Sequence, residues 1–347
     1  MCDTTDSYPR FAIIKRVYLG AVAVCFVALS AVACSANPVD DTPPTIAPAS
    51  PAVSPQVTTA PAGQVRPFPA KAKEAVFDAA TASLVVLGAD GVTIMPAGDG
   101  APRNVAVPSP PSALTGDGSG TVYLSTRGGY FRVDVRTGQV ATMKVAGHEG
   151  TDFTAIARRS DGRLVLGSAD GAVYTLSSDT AVAASVKIFA RVDALVTQGN
   201  TAVVLDRGQT SVTTIDPDGS GAQHALRAGE GATTLVADSA GRVLVADTRG
   251  GSLLVFGTDP LMMRQSYPVR DAPYGLVGTR TLAWVSLTAT NVVVGYDLAT
   301  GIPVEKVRYP TVRQPDVLAF DDATYSVLVA SASGDGIQVI NDAGRPR

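Results

Sequence analysis

A short apolar run, a turn, a second apolar run, a Gly- or Asp-rich turn and a third apolar run recur seven times between about residues 65 and 344. The second runs are SLVVL (83–87), TVYL (121–124), RLVL (163–166), AVVL (202–205), RVLV (242–245), LAWV (282–285) and SVLV (326–329). Their last residues, Leu87, Leu124, Leu166, Leu205, Val245, Val285 and Val329, are spaced by 37, 42, 39, 40, 40 and 44 residues. A period near forty that holds over six intervals is the mark of a repeat architecture. The third runs, GVTIM, YFRVDV, AVYTL, SVTTI, SLLVF, VVVGY and GIQVI, alternate or are β-branched and lack a helical period, so they read as strands. First runs such as Leu195-Val196, Leu235-Val236, Gly275-Leu276 and Leu318-Ala319 sit eight to ten residues before each second run and predict the innermost strands.

The pattern therefore predicts an all-β fold over 64–347, a seven-bladed β-propeller of four-stranded antiparallel blades. The last unit is short after Ile340, and residues 64–68 stand ready to supply its missing outer strand. The fifth unit, from Val236 to Phe256, resembles an NHL repeat, and the set as a whole is similar to the YVTN or YncE-like propellers. WD40 signatures are missing, and Trp284 is the only tryptophan. The resemblance implies architecture and leaves activity open, because that superfamily includes scaffolds, lactonases and lyases.

The amino terminus has a different character. Arg10, Lys15 and Arg16 precede an apolar run over 17–33, the charged and apolar regions of a secretory signal peptide at 1–33. The run ends Leu29-Ser30-Ala31-Val32-Ala33-Cys34, which resembles the lipobox of bacterial lipoproteins, with Ala31 in place of the usual leucine. That resemblance implies lipidation of Cys34 and attachment to the outer side of the cytoplasmic membrane, as in the propeller lipoproteins of mycobacterial and related actinobacterial envelopes. All three cysteines, Cys2, Cys25 and Cys34, lie in this region, so no disulfide can staple the repeats. Residues 34–63 are rich in Pro, Ala, Ser and Thr with few large apolar residues, a composition that predicts a disordered, semi-extended tether.

Charge and rare residues narrow the chemistry. A formal charge of −3 argues against nucleic acid as a partner. Two histidines, His148 and His224, and no cysteine after Cys34 give no metal site or thiol nucleophile, and no cofactor motif is legible. Asp216-Pro-Asp-Gly-Ser-Gly221 imitates the start of a calcium loop, but His224 and Arg227 stand where later ligands belong, so it reads as a hairpin turn. His148, Glu149 and Asp152 fall together in an inter-blade connection and are the candidate groups of a lactonase- or lyase-type enzyme.

Turn register assigns side chains to faces. Arg127, Arg207 and Arg249 occupy second-to-third-strand turns, while Arg191, Arg270 and Arg313 occupy inter-blade connections, which puts all six on one face. Aspartates such as Asp117, Asp161, Asp238 and Asp321 fall on the other. Arginine forks suit carboxylate and phosphate, so the basic face is the candidate site for an anionic envelope component or an envelope protein. The leading expectation is a monomeric, non-enzymatic, membrane-anchored binding scaffold.

Overall fold

In the computed structural model, which describes residues 43–345, every regular element is a strand. The strands form seven four-stranded antiparallel sheets. Blades 1 to 6 span 74–106, 114–144, 153–187, 194–227, 232–268 and 273–310. Each of the seven apolar second runs forms the second strand of its blade.

Neighbouring blades cover both faces of the inner strands, which is why those strands are continuously apolar. The second strands Ser83–Leu87, Leu164–Ser168, Ala283–Leu287 and Ser326–Ala330 are buried along their whole length. Outer strands see solvent: Val182–Lys187 alternates, and Ala222–Arg227 is almost wholly exposed. The core lies between blades as a ring of clusters, such as Val85 and Leu87 of blade 1 with Val122 and Leu124 of blade 2. Trp284, fully buried, stacks on Tyr309 with centroids 6.1 Å apart.

Ring closure uses both ends of the chain. Blade 7 contains Val317–Asp321, Ser326–Ala330 and Ile337–Ile340, and Gln64–Arg66 adds its outer strand, antiparallel, with Gln64 opposite Val339 and Arg66 opposite Ile337. The expected amino-terminal closure is thus present, limited to three residues. Arg66 then reaches onward to blade 1, donating to the Pro96 and Gly100 carbonyls at 2.5 and 2.9 Å. Between blades 1 and 2, Arg103 does the same with the Val135 and Arg136 carbonyls, at 2.5 and 3.0 Å.

One expectation differs from the structure. The stretch 43–63, read from its composition as part of a disordered tether, is bonded to the propeller at points from Ile46 to Ala62. The physical reason is that this segment is held through its main chain, by donors and acceptors of the propeller, rather than by burying large apolar side chains. The expected signal peptide at 1–33 and the lipid on Cys34 lie outside the described residues.

Closure makes a specific demand on Gly63, which has φ +69° and would place a Cβ 2.1 Å from the Val339 carbonyl oxygen. Gly63→Ala is expected to lower stability in urea unfolding by about 2 kcal/mol. Gly98→Ala, where a Cβ meets nothing within 4 Å, is expected to change it little.

Candidate functional site

Antiparallel blades place the second-to-third-strand turns and the inter-blade connections on one face, and the contacts between them make this explicit. Arg127 pairs in a β-bridge with Asp152, and the Arg207 amide donates to the Asp193 carboxylate at 2.8 Å. Buried aspartates brace this face. Asp206 accepts from the Ala190 and Gln209 amides, and Asp247 from the Glu230, Gly231 and Gly250 amides, so each ties a connection to the adjacent turn.

The six arginines are spread around the face and do different things. Arg127 lies 3.7 Å from Asp152, both exposed, and Arg191 lies 3.2 Å from Asp193. Arg270 is exposed. The other three hold the 43–63 segment. Arg207 donates to the Ala49 carbonyl, Arg249 to the Ala47 carbonyl at 2.7 Å, and Arg313 to the Ser54 carbonyl at 3.3 Å. His148, Glu149 and Asp152 are not brought together as a reacting group. His148 packs edge-on against Tyr174, with centroids 4.6 Å apart, Asp152 faces Arg127, and exposed Glu149 accepts from the Gly147 amide at 3.2 Å. Backbone amides hold the Glu149 carboxyl below the usual range. Asp216–Gly221 is a turn between strands, closed by the Asp216 amide on the Gly221 carbonyl at 2.8 Å.

Sequence reasoning missed a second cluster on this face. The first strands run down a central channel of about 500 Å³. Glu74, Asp193, Tyr274 and Asp316 line it where first strands begin, at the mouth on the connection face, together with Arg207 from a second-to-third-strand turn. Glu74 accepts the Leu114 amide at 2.6 Å, and burial pushes its carboxyl up to about 7. Asp316 accepts from Gln314 at 2.9 Å, and burial raises it to about 6. Burial also raises Asp193, against the opposing pull of the Arg207 amide and the Arg191 and Arg207 guanidinium groups, and it raises Tyr274. A signal did exist: each of the four lies two residues before an inward apolar residue, Val76, Leu195, Leu276 or Leu318. At period 2 that register returns to the channel side.

On the opposite face the aspartates mostly build turns or pair. Asp117 accepts from the Ser119 and Thr121 amides, while Asp238 meets Arg242 at 2.7 Å and Asp161 meets Arg159 at 3.0 Å. Among the described residues no cluster of three or more His, Cys, Asp or Glu side chains has the geometry to hold a metal ion.

The geometry defines the class of protein as a seven-bladed β-propeller. No family model matches the chain, and no curated protein matches it either. Solved structures do. A chain of a mitotic checkpoint complex is 12% identical with a TM-score of 0.70, covering 84% of this chain and 98% of that one. Streptogramin B lyase is 11% identical with a TM-score of 0.65, covering 82% and 97%. The WD40 propeller domain of Doa1 is 12% identical with a TM-score of 0.63, covering 82% and 97%. At these identities the likeness is one of fold.

The channel carboxyls generate a pH dependence. A carboxyl whose folded pKa lies above its unfolded value binds its proton more tightly when folded, so stability is highest below the unfolded pKa and falls as pH rises through the folded one. For Glu74 that window runs from 4.5 to about 7, and a shift of that size corresponds to about 3 kcal/mol. Urea unfolding is expected to show stability declining across this window, with Glu74→Gln removing the share of Glu74, which extends to the highest pH, and leaving that of Asp316 and Asp193.

Proposed function

We propose that the protein is a lipid-anchored, extracytoplasmic binding propeller that recognises a partner polypeptide of the cell envelope on the face carrying the inter-blade connections. The observation that supports this reading is that Arg207, Arg249 and Arg313, on three different parts of that face, already hold carbonyls of an extended polypeptide segment. A face that satisfies main-chain acceptors in this way is suited to polypeptide. It is less suited to a bulk anionic polymer, because Arg127 and Arg191 stand against Asp152 and Asp193, which dilutes the positive field. The similarity in fold to a chain of a mitotic checkpoint complex and to a WD40 domain is consistent with a scaffold. Cys34 supplies the anchor, and residues 46–55, being docked, form no part of the free tether.

A second reading has its own observation. Glu74 and Asp316 stand at the channel mouth beside Tyr274, and burial raises both carboxyls toward neutrality, which is the condition for general acid–base chemistry there. A lyase- or lactonase-type activity would then reside in the channel, and not at His148, Glu149 and Asp152. The likeness in fold to streptogramin B lyase keeps this class in view. Turnover abolished by Glu74→Gln or Asp316→Asn would establish it.

The binding reading is tested by cross-linking the protein in envelope membranes and recovering what is attached. Arg127→Ala, Arg191→Ala and Arg270→Ala together, which leave the three strap-holding arginines intact, are expected to lower partner recovery at least about fivefold, the equivalent of roughly 1 kcal/mol. Unchanged recovery would exclude these side chains from recognition. Cys34→Ala is expected to move the protein from the membrane fraction to the soluble one.

A further inference from the structure

The docked segment runs across blades 4 to 6 and the connection to blade 7. Its Ile46 amide donates to the Gly208 carbonyl at 2.8 Å in blade 4, and its Ala47 carbonyl meets Arg249 in blade 5. Farther along, the Ala52 amide donates to Thr288 Oγ1 at 3.1 Å, and Ser54 Oγ donates to the Thr288 carbonyl at 2.6 Å in blade 6. Asn291 donates to the Pro55 carbonyl at 2.9 Å. Gln314, in the connection to blade 7, donates to the Ala52 carbonyl and accepts the Ser54 amide, both at 3.0 Å. Blades 1 to 3 contribute nothing to these bonds.

Three features make this a shaped groove. Its floor is bare where the segment passes: a Cβ at Gly208 would lie 3.0 Å from Thr45 Cγ2, and one at Gly231 would lie 2.9 Å from Ala49 Cβ. The residues facing inward are small, with Ala49 and Ser54 buried, whereas Val53 between them is 84% exposed. Prolines stand at 43, 44, 48, 51 and 55, so these positions have no N–H to satisfy, and the groove offers both donors to the segment's carbonyls and acceptors to the amides that remain. An extended proline-rich chain has no internal hydrogen bonds and loses little entropy on docking.

We propose that this rim is a general recognition groove for extended, proline-interrupted polypeptide with Ala or Ser at the inward positions, and that residues 45–56 are its occupant in cis, displaceable by such a segment of another polypeptide. The proposal deepens the binding reading given above by naming the partner's chemistry, and rests on it. A segment tethered to its own groove acts at an effective concentration near millimolar, so a partner segment competes at a disadvantage until the cis segment is released.

The test uses the full chain with a site-specific protease recognition sequence in place of the exposed residues 57–60, upstream of the closing strand. After cleavage, a fluorescent synthetic peptide of residues 43–56 is titrated in. Saturable binding, displaced by unlabelled peptide, is expected, about a hundredfold weaker in the uncut chain. It is expected to fall at least tenfold in Arg207→Ala with Arg249→Ala, a loss of roughly 1.4 kcal/mol or more.

A peptide with leucine at 49, 52 and 54 is expected not to bind. The proposal is overturned if the cut, folded propeller takes up no peptide, if the leucine peptide binds equally, or if cleavage unfolds the ring, which would make the segment a structural part of it. In the uncut chain, Gly231→Ala is expected to speed hydrogen exchange at the Ile46, Ala52 and Ser54 amides, and unchanged exchange would count against the groove. Partner recovery from envelope membranes without peptide binding would overturn the groove while leaving the binding reading intact.

Discussion

The structure depends on burial of both faces of every inner strand. A blade such as 273–310 presents Ala283, Val285, Leu287 and Val294 to one neighbour and Trp284 and Val293 to the other, so no blade has a core of its own. The ring is closed by the three residue pairs between Gln64–Arg66 and Ile337–Ile340 and by Arg66 bridging from that strand to blade 1, so that the first and last blades are covered on both faces like the rest. The segment before Gln64 reaches this seam across the face where the connections and arginines lie.

That route joins architecture to function. Side chains that would otherwise be free to capture a ligand are engaged by the chain itself: Arg207, Arg249 and Arg313 on carbonyls, Asn291 and Gln314 beside them. Arg207 serves two sites at once, since it holds Ala49 and also lines the channel mouth near Glu74, Asp193, Tyr274 and Asp316. The segment and the channel are thus adjacent, and what docks on the rim touches a residue that shapes the charge of the channel.

The blades were legible in the sequence because their cause is local and repeated. The forty-residue period, the alternating strands and the glycine turns reflect the same burial constraint seven times over, and the shortfall after Ile340 disclosed where the chain must close. The arginine face was legible too, because turn register alone fixes the side of the ring. What composition concealed was the docking of 43–63. A Pro- and Ala-rich stretch carries no apolar period, and its bonds depend on partners more than two hundred residues away, such as Thr288 and Gln314. Glu74, Asp193, Tyr274 and Asp316 escaped notice for a related reason. Each is unremarkable in its own blade, and they form a cluster only when the blades are arranged around one axis.

The most direct measurement is hydrogen exchange on the intact chain, resolved to single amides across 46–62. The Ile46, Ala52, Ser54 and Ala62 amides, bonded to Gly208, Thr288, Gln314 and Pro310, are expected to exchange at least about tenfold more slowly than the amide of exposed Val53. Exchange at the free-peptide rate throughout would contradict the docking of this segment, and with it the claim that this face is built to hold polypeptide.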